Sequence, residues 1–174
     1  MVPTRLTTAR LLLRPTEASD AVRAFRIQSD WHVTRMLRMA CFPPDRAEIR
    51  HWFADHEREW RAGEAYRFGV ELDGRFIGVV DIDEIRAAWG ELGYWFERAA
   101  WGQGYALEAA QAVVRFAFAE ADLSGLRSGH ADDNAASGRV LLKLGFHEVD
   151  RVRVKSRSRG EDITQRLYAL SRPG

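Results

Sequence analysis

The sequence predicts a mixed α/β domain with its elements in the order β-α-α-β-β-β-α-β-α-β-β. Three observations predict it. Around Asp73-Gly74, two runs of alternating apolar and polar residues flank a two-residue turn signal, which reads as a β-hairpin. After the aromatic run Tyr94-Trp95-Phe96 the chain breaks at Gly102 and Gly104, then becomes an alanine-rich amphipathic helix. Towards the C-terminus, Asp132-Asp133-Asn134 opens a last helix that Gly145 closes, and two further alternating runs follow. The 174 residues suit one domain with a core of ordinary size.

In chain order, residues 10–14 read as a first strand stopped by Pro15. Thr16 then caps a helix, with Glu17 in its first turn, running to about residue 29. Residues 30–44 read as irregular and carry Trp31, Met36, Met39 and Phe42. A second helix starts at Pro44 or Asp45, with Ile49, Trp52, Phe53, His56 and Trp60 at helical spacing. Residues 66–72 and 75–85 form the hairpin, and residues 89–97 continue the meander. Alternation in that third strand places Glu91, Gly93, Trp95 and Glu97 on one face, with Leu92, Tyr94 and Phe96 on the other. The helix over residues 103–121 presents Ala106, Ala109, Ala110, Val113, Phe116 and Ala117 as one stripe, small enough to lie close to a sheet. Residues 126–131 form the next strand, and residues 146–154 and 162–170 a closing hairpin.

Composition excludes several classes. With 26 basic and 25 acidic side chains, the overall charge points to neither a nucleic-acid partner nor an acidic substrate. The single cysteine, Cys41, cannot make an intramolecular disulfide framework or a cysteine-rich zinc site, and no metal is expected. No apolar run approaches the ~20 residues of a membrane helix, and the N-terminus lacks the apolar segment of a signal peptide. A soluble cytoplasmic protein with no membrane partner is expected.

The chemistry is concentrated at Trp101-Gly102-Gln103-Gly104-Tyr105-Ala106. Strand, glycine loop and helix start together make an anion site, because the first helical N–H groups are unpaired and the helix dipole is positive there. A nucleotide P-loop would require Lys-Ser or Lys-Thr after Gly104, and the dinucleotide fingerprint would require a small residue where Leu107 stands. The loop, continued by Glu108-Ala109, instead resembles the coenzyme A loop of the GNAT N-acetyltransferases, (Q/R)-x-x-G-x-(G/A), with Trp101 in place of the first Gln or Arg. Asp133-Asn134-Ala135-Ala136-Ser137, leading to Val140-Leu141-Leu142-Lys143-Leu144-Gly145-Phe146, is similar to the N-x-x-S…L-x-K-x-G-F pattern of the RimJ/RimL branch. With Leu11-Leu12-Leu13-Arg14-Pro15, the resemblance runs from about Leu6 to the C-terminus.

The resemblance implies a GNAT fold, with a central, mostly antiparallel sheet of about six to seven strands flanked by helices. It also implies direct transfer of acetyl from acetyl-CoA to a primary amine. The cofactor would be held by Gly102, Gln103, Gly104, Tyr105 and Ala106, by strand backbone from Trp95, Phe96 and Glu97, and by Asn134. Ser137, on one helical stripe with Leu141 and Leu144, would protonate the leaving thiolate; the alternative is a first-turn serine bonded to local backbone. Glu91 is the first candidate for the base, with Asp81, Asp83, Glu84 and His130 as rivals. An α-amine with a pKa of about 7.7–8.0 suits a weak base, whereas a lysine near 10.4 costs about 4 kcal/mol more to neutralise. The expected acceptor is therefore a protein or peptide N-terminus. A small-molecule amine such as an amino sugar, amino acid or antibiotic is the alternative, and a non-catalytic acyl-CoA sensor the alternative of another class. The basic run from Arg151 to Arg159 reads either as a solvated hairpin or as a loop selecting an acidic acceptor or a ribosomal surface. A homodimer is the family's habit.

Overall fold

The computed structural model describes residues 1–174. The chain runs β1 (Leu6–Thr7), β2 (Leu12–Pro15), α1 (Asp20–Gln28), α2 (Trp31–Thr34), α3 (Arg46–Ala62), β3 (Tyr66–Leu72), β4 (Arg75–Arg86) and β5 (Trp89–Phe96). A 3-10 turn over Arg98–Ala100 leads to α4 (Tyr105–Ala119), followed by β6 (Gly125–Ala131), α5 (Ala135–Lys143), β7 (His147–Ser156) and β8 (Glu161–Ser171). All strands join one sheet in the order β1-β2-β3-β4-β5-β6-β8-β7. Every neighbouring pair is antiparallel except β5 and β6.

The sheet thus has eight strands, where about six to seven were expected. The addition is β1, whose two residues pair with Leu12 and Leu13 and are too few to leave an alternation in the sequence. The helix expected from Thr16 begins instead at Asp20. The Thr16 hydroxyl is occupied by His56 Nδ1 at 2.7 Å, and the Asp20 carboxylate accepts from the Glu17 N–H at 2.8 Å, forming a turn before the helix. Within the segment read as irregular, Asp30 caps the short α2 by accepting from the His32 N–H at 2.9 Å.

The long α3 follows its sequence signals. Asp45 is extended (φ −98°, ψ 121°) and accepts from the Glu48 N–H at 2.9 Å; Gly63 ends the helix at φ 70°. Asp45→Ala is expected to lower stability by about 1 kcal/mol, read as a lower urea midpoint at unchanged slope.

The core lies on both faces of the sheet. On one face, α4 sets Ala109, Ala110, Val113, Phe116 and Ala117 against Phe68, Val70, Val80, Ile82 and Leu92. On the other, Ala24 and Ile27 of α1 and Ile49 and Phe53 of α3 pack with Phe76 and Val79. Two covered faces hold the middle strands rigid and leave the functional features to the place where the sheet opens.

Candidate active site

The sheet opens between β5 and β6. These strands pair only over Trp89–Gly125, Gly90–Leu126 and Glu91–Arg127, and then part. The Ser128 hydroxyl marks the point of parting by donating to the Leu92 carbonyl at 2.8 Å. Beyond it lies a cleft of about 550 Å³. Its lining comes from Tyr94 and Phe96 of β5, from the glycine loop and from α5, but also from Val33, Met36 and Leu37 in and after α2. Because α2 belongs to the face opposite α4, the cleft passes through the sheet and has a mouth on each side.

Backbone parity decides what β5 offers the cleft. The Glu97 N–H donates to the Ile77 carbonyl at 2.8 Å, so the odd-numbered residues turn their backbone towards β4. The even-numbered Leu92, Tyr94 and Phe96 turn theirs towards the gap. Leu92 gives its carbonyl to Ser128, and Phe96 gives its carbonyl to the Trp101 indole N–H at 3.0 Å. The amides of Tyr94 and Phe96 face the opening.

At the end of the cleft, Gly102 and Gly104 adopt φ of 75° and 81°. A Cβ on Gly102 would meet nothing within 4 Å, so the left-handed backbone, not space, calls for glycine there. Gly104 stands at the N-cap of α4 with no side-chain cap, and the Glu108 N–H is the first to return, to the Gly104 carbonyl at 3.1 Å. The N–H groups of Tyr105, Ala106 and Leu107 precede that first helical bond, and these three residues line the cleft, with the positive end of the helix dipole behind them. Arg10 straps the loop from outside: it pairs with Glu108 at 2.6 Å, donates to the Gln103 carbonyl at 2.9 Å and lies 4.5 Å over the Tyr105 ring.

Across the cleft, Asn134 caps α5 by accepting from the Ser137 N–H at 3.3 Å. The Ser137 and Tyr94 hydroxyls lie 2.8 Å apart, and Tyr94 also reaches the Ser137 carbonyl at 3.0 Å. Burial pushes the Tyr94 phenol up to about 12, against the lowering effect of the Ser137 hydrogen bond, so it keeps its proton at ordinary pH. Arg139 and Lys143 bring positive charge to the same wall.

Of the residues expected at the site, Trp95, Phe96, Gly102, Gly104, Tyr105, Ala106, Asn134 and Ser137 all line the cleft. Glu91, Glu97 and Gln103 do not. Glu97 uses its N–H in the ladder to β4 and its carboxylate between Arg23 and Arg75. The Gln103 side chain donates to the Ala99 carbonyl at 3.0 Å. Glu91 is an exposed residue of the last rung still paired with β6, opposite Asp83. Partial burial of its carboxyl, and then the Asp83 charge, raise its pKa.

Tyr94, Arg139 and Lys143 were missed in the sequence. Tyr94 carried one usable signal: it shares a face with Leu92 and Phe96, and a tyrosine turned inward needs a partner for its hydroxyl.

A family model for the Acetyltransferase (GNAT) domain matches residues 10–147 of the chain. The chain belongs to the GNAT acetyltransferase family. The probable N-acetyltransferase YjcK of Bacillus subtilis (strain 168) is 31% identical over 172 residues, covering 94% of each chain. Among solved structures, RimL, a ribosomal L7/L12 alpha-N-protein acetyltransferase in complex with coenzyme A, aligns with a TM-score of 0.85 at 17% identity, over 97% of this chain and 98% of its own. The microcin C7 self immunity acetyltransferase MccE, in complex with acetyl-CoA and AMP, aligns with a TM-score of 0.80 at 15% identity, over 94% and 93%. At these identities the structural likeness concerns the fold.

As a GNAT N-acetyltransferase, the protein uses acetyl-CoA and transfers its acetyl group to an amine. The site fits that substrate. An uncapped helix start behind two left-handed glycines suits a pyrophosphate, and a gap edged by unpaired strand amides suits an amide-bearing arm.

Two arginines of the basic hairpin are held by the fold. The Arg157 N–H donates to the Arg38 carbonyl at 2.8 Å, and its guanidinium pairs with Glu48. Arg159 donates to the Arg35 carbonyl at 2.8 Å and pairs with Asp133 at 2.8 Å. The β7–β8 turn is thereby latched onto the segment after α2 and onto α3. Arg157 is thus paired with Glu48, while Asp133 is shared between Arg159 and Arg35. No helix is long and apolar enough to cross a membrane.

Proposed function

We propose that this N-acetyltransferase acts on the N-terminal α-amine of a protein or peptide. The observation that carries the reading is the second mouth. It opens on the α1–α3 face beside Val33, Met36 and Leu37, a shape that suits the end of an extended chain presenting one amine at its tip. RimL, whose fold is shared over nearly the full length, carries an alpha-N-protein activity in its name and supports the same reading.

In this reading the glycine loop and α4 hold the pyrophosphate, and Arg139 and Lys143 balance further phosphate charge. The Tyr94 and Phe96 amides hold the pantetheine arm and the acetyl oxygen, as an oxyanion site does. The Ser137–Tyr94 hydroxyl pair delivers a proton to the departing sulfur. Asn134 fixes the first turn of α5 and so the place of Ser137.

The test is thiol release from acetyl-CoA with peptides of varied N-terminus, the same peptides with blocked α-amines, free lysine, polyamines and amino sugars. Turnover of the open peptides and none of the blocked ones is expected. Turnover confined to amino sugars or polyamines would move the protein to a small-molecule acceptor.

A further inference from the structure

We propose that Asp81, reaching across Gly93, is the base that takes the proton from the acceptor amine; this rests on the acceptor entering by the second mouth. Asp81 of β4 and Gly93 of β5 stand directly opposite each other, so both present the same face of the sheet, the one that carries α1 to α3. Gly93 lines the cleft just past the point where β5 leaves β6. A Cβ at position 93 would lie 2.8 Å from Asp81 Oδ1. The missing side chain is what leaves that oxygen a path to the cleft.

The other carboxylate oxygen is fixed. Asp81 Oδ2 accepts from Arg67 Nη1 at 2.6 Å. Arg67 is itself held by Glu59 at 2.8 and 3.2 Å, bonded to Asp83 at 3.1 Å and set 4.9 Å over the Trp52 ring. One oxygen anchored and one resting over the glycine that lines the opening is an arrangement that suits a base. The Asp81 side chain keeps 12% of its surface exposed, enough for a proton to leave.

The surrounding charges act in the same direction as the geometry. Burial raises the Asp81 carboxyl most, Arg67 opposes it, and Asp83 on the same strand and Glu59 on α3 raise it further, to about 7. His56 on α3 adds no charge there, since burial and Arg67 lower it to about 3. Glu91 completes the acidic group on β5. A carboxyl raised above the ordinary carboxylate range is better matched to an α-amine of about 7.7–8.0 than a solvated one would be.

The protons balance. The acceptor ammonium gives one proton to Asp81, and its nitrogen forms the new C–N bond as the C–S bond breaks. The second nitrogen proton reaches the departing sulfur through Ser137 and Tyr94, and Asp81 returns its own to water.

The test compares kcat/KM against pH for wild type, Asp81→Asn and Glu91→Gln, using acetyl-CoA and whichever amine of the panel the wild type acetylates. Failure of peptides as acceptors then counts against the acceptor reading alone. Asp81→Asn is expected to lose about 100-fold at pH 7, with unchanged affinity for acetyl-CoA, and to narrow the gap towards pH 9 as the free amine becomes abundant. Activity in Asp81→Asn within threefold of wild type, or the same loss in Glu91→Gln in its place, overturns the proposal. Should Asp81→Asn fail to fold, the Glu91→Gln profile decides: an acid limb in kcat that survives this substitution supports Asp81, and an acid limb lost with it, or a wild-type kcat flat between pH 6 and 9, overturns it.

Discussion

Ser137→Ala is expected to slow acetyl transfer by about 10²–10³-fold without weakening acetyl-CoA binding, because general acid catalysis contributes on the order of 10²–10⁴. The substitution is clean. The bond from Asn134 goes to the Ser137 backbone N–H, and Tyr94 keeps its bond to the Ser137 carbonyl, so the first turn of α5 survives. Tyr94→Phe removes the other half of the 2.8 Å hydroxyl pair and is expected to cost a similar factor. If the two hydroxyls pass one proton, the double variant will be little worse than the poorer single one, since residues acting as a unit are non-additive. Single-turnover thiol release and calorimetric titration with acetyl-CoA separate chemistry from binding. Unchanged turnover in both single variants would remove the pair from the mechanism.

Phe116→Ala is expected to cost about 3–5 kcal/mol of stability, through lost burial and the cavity left behind. Phe116 is 2% exposed and sits among Trp60, Tyr66 and Phe68, with ring centroids at 5.9, 5.2 and 5.1 Å. The neighbours are large, rigid and anchored on two different elements, α3 and β3, so they cannot close over the gap. For a domain of this size each kcal/mol moves the melting temperature by roughly 2–4 °C. A fall on the order of 10 °C in a thermal melt is the expected reading, and a fall under about 3 °C would mean that α4 is held by the loop and not by this cluster. The same ring underlies the site, because α4 carries the N–H groups of the glycine loop at its start.

Most of the scaffold was legible in the sequence. Asp73-Gly74 marked a hairpin that the structure forms, Asp45 caps α3 as its carboxylate predicts, and Gly102 and Gly104 marked the loop that takes the left-handed backbone. The start of α1 was misread because a local signal was outbid by a distant partner. Thr16 has the chemistry of a cap, but His56, forty residues on, took its hydroxyl.

What the sequence by itself determined was therefore the set of elements, the glycine loop and the family it resembles, because turns, caps and hydrophobic periods act between near neighbours. Only the tertiary structure decided which groups meet. Tyr94 and Ser137 are brought together across 43 residues by the opening between β5 and β6. Arg157 loses its free charge to Glu48, 109 residues away. Asp81 lies against Gly93, which lines the cleft, because strand register sets that glycine directly opposite it. These contacts depend on packing between segments far apart in the chain, and the folded sheet alone specifies their register and direction.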